Sequence, residues 1–159
     1  MPQMGLGMSS GKSKNRTPSV AFQSDFGSGS HGFTANNATI DGNYTHGIPA
    51  SQHPAMKVDT TSSNGYAYKE FTVIPNTKYT WRIKLQAGEI GSGDKSYAWG
   101  TSADDGTNVT ETVQNVPGVT SRGTFATGGS QTSCFLTLKV ANSGKFAAWD
   151  NILLETLDG

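Results

Sequence analysis

From Val20 onward, short apolar runs alternate with turn residues. The clearest stretch surrounds Thr72 to Leu85. Phe71 and Val73 lead into a Pro75-Asn76-Thr77 break, and Tyr79, Trp81, Ile83 and Leu85 then alternate with Thr80, Arg82 and Lys84. A period of two interrupted by Pro-Asn predicts strand, turn, strand. It points Tyr79, Trp81, Ile83 and Leu85 at a core and Thr80, Arg82 and Lys84 away from it. Leu136, Leu138 and Val140, alternating with Thr137 and Lys139, predict a second strand that ends at an Asn142-Ser143-Gly144 turn. Phe146 to Leu157 reads as a last strand. Further strands are expected over 32–40, 54–60, 64–73, 96–101, 108–114 and 119–126, with loops over 88–93 and 103–107. No sustained helical stripe interrupts this pattern. Short strands at this spacing predict an all-β fold, a two-sheet antiparallel β-sandwich of jelly-roll type.

Composition agrees. Gly, Thr, Ser and Asn supply 66 of the 159 residues, and Leu only seven. Such a mixture favours strands and turns over helices. Twelve basic and twelve acidic residues cancel, which argues against direct nucleic-acid binding. No apolar run is long enough to cross a bilayer, so no membrane association is expected. The N-terminus lacks the apolar stretch of a signal peptide, so export is not expected.

The charge is unevenly placed. Residues 1–20 carry Lys12, Lys14 and Arg16 and no acid, a charge of +3, whereas 21–159 carry −3. The leader is rich in Gly and Ser and cannot bury enough apolar surface to offset its ordering entropy. This divides the chain into an extended N-terminal arm, 1–20, and a sandwich domain, 21–159. Met4, Leu6 and Met8 are candidate apolar anchors of such an arm on a partner chain, and Lys12, Lys14 and Arg16 candidate contacts to an acidic surface.

Catalytic chemistry finds little support, and the chain is read as not an enzyme. Asp104-Asp105-Gly106 reads as a turn, because neighbouring strand residues point to opposite faces and Asp and Gly favour turn geometry. His31, His46 and His53 lack the helical spacing of a metalloprotease. Cys134 lies at a strand border, where a thiol usually packs. The serines show no nucleophile-elbow motif. Sugar binding would require rings on an exposed face. Tyr44, Tyr66, Tyr68, Tyr97 and Trp99 supply candidates, of which Tyr44, Tyr97 and Trp99 are taken forward. Against this, Trp81 and Trp99 alternate with polar neighbours as core residues do, and only Tyr44 stands in polar, loop-like sequence.

Three stretches, in matching order, carry a family likeness. They are Phe22 followed by Asp25-Phe26-Gly27-Ser28-Gly29, then Met56-Lys57-Val58 leading through Asn64 to Val73 and Pro75 to Thr80, and finally Gly144 followed by Ala148-Trp149-Asp150-Asn151-Ile152-Leu153-Leu154. Over about 22–157 the chain resembles carbohydrate-binding modules of the family 4/9 type, within the galactose-binding-like jelly rolls. The resembling pattern usually has Phe or Tyr where Trp149 stands. The likeness implies the sandwich fold and offers Asp25 and Asp150 as the positions of a structural calcium; the competing reading is no cofactor, with Asp25 capping a turn and Asp150 taking a backbone hydrogen bond. It leaves two roles open, because such domains bind glycans and also serve as modules of phage particles. The basic leader favours the second. The expectation is a tailed-phage virion protein, most simply a capsid decoration (cement) protein on the capsid surface. Its arm would staple the major capsid protein or another virion protein, or a second copy of itself. The alternative is a carbohydrate-binding module, free or displayed on a particle for host glycan attachment.

Overall fold

The computed structural model describes residues 19–24, 26–27, 29–48, 54–88, 95–114 and 116–157. Among them are eleven strands: β1 (Val20–Ser24), β2 (Thr34–Asn36), β3 (Ala38–Tyr44), β4 (Ala55–Thr60), β5 (Gly65–Thr72), β6 (Lys78–Gly88), β7 (Lys95–Gly100), β8 (Val109–Val113), β9 (Thr120–Ala126), β10 (Ser133–Val140) and β11 (Phe146–Thr156). They form two antiparallel sheets packed as a jelly-roll sandwich. One runs β3-β4-β11-β6-β9, with β1 pairing the C-terminal half of β11. The other runs β2-β5-β10-β7-β8.

Strand parity decides what lies between the sheets. On β6, Tyr79, Trp81, Ile83 and Leu85 are buried, as their alternation requires. On β10, Cys134, Leu136, Leu138 and Val140 are fully buried, and on β7 Tyr97 and Trp99 join them. Aromatic rings bridge the two layers. Trp81 meets Tyr97 edge-on at 5.3 Å and Trp99 at 6.4 Å, and Trp99 lies 5.9 Å from Phe125. Such pairs add about 0.5–1.5 kcal/mol each beyond their burial. Gly123 makes room for this arrangement, since a Cβ there would stand 2.6 Å from the Trp81 ring. Trp149 is also fully buried, and its Nε1–H donates to Gln114 Oε1 at 2.7 Å. The buried indole donor therefore has a partner.

The predicted strand over 32–40 is two strands that belong to different sheets. Asn37, with φ of 50°, breaks the run between β2 and β3. Asn tolerates this left-handed conformation better than most residues, and the kink lets the chain cross from one layer to the other. Asn76 and Gly144 likewise take positive φ, at 52° and 69°, within the two expected turns. β1 was not expected from the sequence, and the other strands agree with expectation to within a few residues at their ends. Residues 1–18 of the expected arm, with Met4, Leu6, Met8, Lys12, Lys14 and Arg16, lie outside the described residues, while Val20, its expected last residue, opens β1.

Truncating Leu138 to Ala should lower the unfolding free energy by about 2–5 kcal/mol. Urea denaturation checks this, and an unchanged midpoint would contradict the packing described.

Candidate functional site

The side chains that parity excludes from the core build a surface on the outer face of the five-stranded sheet. On β5, Ala67, Phe71 and Val73 face inward or continue the inward register, so Tyr66 and Tyr68 face outward and are half-buried. On β10 the same rule turns Phe135, Thr137 and Lys139 outward. Register brings them together. Thr137 lies opposite Tyr68 and Lys139 opposite Tyr66, while Thr137 and Lys139 pair on their other side with Ala98 and Ser96. The rings form a strip, with Tyr66 and Tyr68 at 6.1 Å and Tyr68 and Phe135 at 6.3 Å between centroids. Thr34 and Asn36 of the edge strand β2 flank it.

Beside the strip is a cavity of about 240 Å³, bordered by Tyr97, Ala98, Thr110, Thr137, Lys139, Asp104 and Gly106. Its far wall is the loop after β7, which is bound onto the sheet. The backbone N–H of Asp104 donates to the Thr137 hydroxyl at 2.9 Å, and Lys139 Nζ lies 2.9 Å from Asp104 Oδ1. The loop packs so closely that a Cβ on Gly100 would stand 2.2 Å from the carbonyl oxygen of Asp105. Only glycine fits there without moving the loop. Asp105 organises the loop from within. Its carboxylate accepts from the Thr107 hydroxyl at 2.6 Å and from the Thr101 backbone N–H and hydroxyl, both at 2.9 Å. The Thr107 hydroxyl, followed by the Thr101 amide and hydroxyl, holds the Asp105 carboxyl down at about 2. Asp104-Asp105-Gly106 is therefore a turn, as expected, and it also forms a wall of the cavity.

The structure separates the sugar-binding candidates taken from the sequence. Tyr97 and Trp99 are corrected, because they are 2% and 0% exposed and pack against Trp81, leaving no free face for a sugar. Tyr44 is half-buried on the other side of the sandwich, where its ring lies 5.6 Å from Phe146 and 5.5 Å from Lys57 Nζ. Tyr66 and Tyr68 stand in the strip. Phe135, Thr137, Lys139 and Asp104 were not foreseen as its companions. The inward parity of Leu136, Leu138 and Val140 was a signal for Phe135. Nothing in the sequence signalled the loop folding over Thr137.

The other candidates are dispersed. Ser24 Oγ lies 2.8 Å from His31 Nδ1, His46 sits by Tyr44, and His53 lies outside the described residues. Burial pushes the Cys134 thiol up to about 12, so it remains protonated in the core. Asp150 is nearly buried on β11, while Asp25, its expected partner for calcium, lies outside the described residues. Among the described residues, no three His, Cys, Asp or Glu side chains cluster as a metal site would require.

No protein-family model matches the chain, and no curated protein matches it in sequence. Solved structures do match its fold. The CBM22-1 xylan-binding domain of Paenibacillus barcinonensis Xyn10C superposes with a TM-score of 0.59 at 15% identity, covering 91% of this chain and 98% of that one. A CBM4 module matches at a TM-score of 0.54 and 13% identity, over 79% of this chain and 94% of that one. A CBM61 module in complex with β-1,4-galactotriose matches at 0.50 and 14%, over 77% and 86%. The chain thus has the β-sandwich fold of carbohydrate-binding modules.

The depressed Asp105 carboxyl gives a directional pH prediction. A group whose pKa falls on folding stabilises the native state above its ordinary value, 3.8 here, and loses that contribution as pH falls toward about 2. The stability gap between the protein and Asp105→Asn should be full above pH 4 and should close below it. Thermal melts across pH 2–6 measure it, and a gap independent of pH would refute this role for the carboxylate.

Proposed function

We propose that the chain is a glycan-binding module whose site is the outer face of the five-stranded sheet. The observation that carries this reading is the strip Tyr66, Tyr68 and Phe135 beside a cavity bordered by Lys139, Asp104 and Thr110. Rings offer flat apolar area to the CH faces of sugars. Lys139, Asp104 and Thr110 supply ammonium, carboxylate and hydroxyl groups at the cavity, where sugar hydroxyls find both donors and acceptors. The fold likeness supports the reading, since the matched structures are carbohydrate-binding modules. The role is binding without catalysis. Lys139 and Asp104 neutralise each other, so the site favours neutral chains over strongly charged ones.

The capsid-decoration reading rests on the arm, most of which lies outside the described residues. The sandwich supplies no observation that favours it. A glycan site and a place on a virion are compatible.

Isothermal titration against soluble xylan, β-glucan and β-1,4-galactan tests the proposal. At least one should bind, and Tyr68→Ala should weaken it by about tenfold or more. Tyr44→Ala, on the opposite side, should leave affinity unchanged. Failure of all three to bind, or loss with Tyr44→Ala alone, would refute the site.

A further inference from the structure

The outer face of the six-stranded sheet holds a second unusual arrangement. Arg82 on β6 stands directly opposite Arg122 on β9. Parity fixes both outward, because Trp81, Ile83 and Phe125 on the same strands are buried. Opposed cross-strand residues bring their Cβ atoms within about 4.5–5.5 Å, and like charges so placed repel. Lys84 extends the basic line along β6. On β11 the nearest acidic positions are Glu155, opposite Thr80, and Asp150, opposite Lys84, so neither faces Arg82 across the ladder. Leu153 holds that place, and beyond it stands Gln23 of β1.

The arginines are not satisfied internally. Neither arginine takes part in the ion pairs Lys57–Asp59 and Lys139–Asp104. Arg82 Nε is buried without a hydrogen-bond acceptor. A buried guanidinium N–H without a partner is costly. A repelling pair adds to that cost, and an anionic occupant relieves the repulsion. An oxyanion with two or more oxygens accepts from both guanidinium forks and neutralises the repulsion. The half-buried Leu153 offers an apolar flank to whatever carries the anion.

We propose that Arg82 and Arg122 form an oxyanion site on the face opposite the aromatic strip, and that it takes the carboxylate of an acidic sugar unit. The oxyanion chemistry stands on the arginines alone, and its assignment to a sugar rests on the glycan-binding reading above. The two sites would let one module hold a neutral chain on one face and an acidic chain on the other.

The test titrates the full chain with trigalacturonate, and separately with potassium sulfate, at low ionic strength. Trigalacturonate should bind saturably, and Arg82→Gln and Arg122→Gln should each weaken it at least tenfold. Tyr68→Ala should leave it unchanged, so failure of the aromatic strip is read apart from failure of this site. Without ligand, Arg122→Gln should raise the melting temperature by about 1–3 °C, because the repulsion is removed. Added trigalacturonate should close that difference. Trigalacturonate affinity unaltered by both arginine substitutions, or a melting temperature that does not rise in Arg122→Gln, would overturn the oxyanion pair. Sulfate binding as tightly as trigalacturonate would overturn the sugar assignment.

Discussion

The two-residue period of β10 governs both the core and the surface of this protein. Cys134, Leu136, Leu138 and Val140 must lie between the sheets, because the fold has no other place to bury them. Phe135, Thr137 and Lys139 are then committed to the outer face. β10 is the central strand of its sheet, hydrogen-bonded to β5 on one side and β7 on the other. Its register therefore assembles the surface from three strands at once. A slip of one residue would invert every side chain and erase core and site together.

Tertiary contacts convert that exposed row into a cavity. Thr137 is almost fully buried although it faces outward, because the loop after β7 lies over it and donates the Asp104 N–H to its hydroxyl. Gly100 supplies the clearance and Asp105 the internal bonds that hold the loop in shape. A loop held by hydrogen bonds on a rigid sheet is a preorganised wall, which reduces the ordering cost a ligand would otherwise meet. The opposite sheet uses the same parity to set Arg82 and Arg122 in facing positions on its outer surface.

Much of this was legible in the sequence, and the reason is periodicity. The alternation through Tyr79 to Leu85 and Leu136 to Val140 gave strand identity and inward faces directly. The same parity, extended back from Phe71 and Val73, places Tyr66 and Tyr68 outside. Tyr97 and Trp99 are the instructive counterpart. They alternate with Ser96, Ala98 and Gly100, and the large members of such a run go inward. For Trp99 the alternation already pointed to the core, and the structure settles both residues there. Other features depend on distant pairing and had no local signal. Examples are the sheet switch at Asn37, the loop over Thr137 and the opposition of Arg82 to Arg122.

The account's central claim is that the face of β5, β10 and β7 is where a glycan sits. Backbone amide shifts followed by NMR during titration with a binding oligosaccharide test it most directly. Perturbations concentrated at Tyr66, Tyr68, Phe135, Thr137, Lys139 and the Asp104-to-Gly106 loop are the predicted result. Perturbations confined to the face of Tyr44, Lys57 and Phe146 would contradict it.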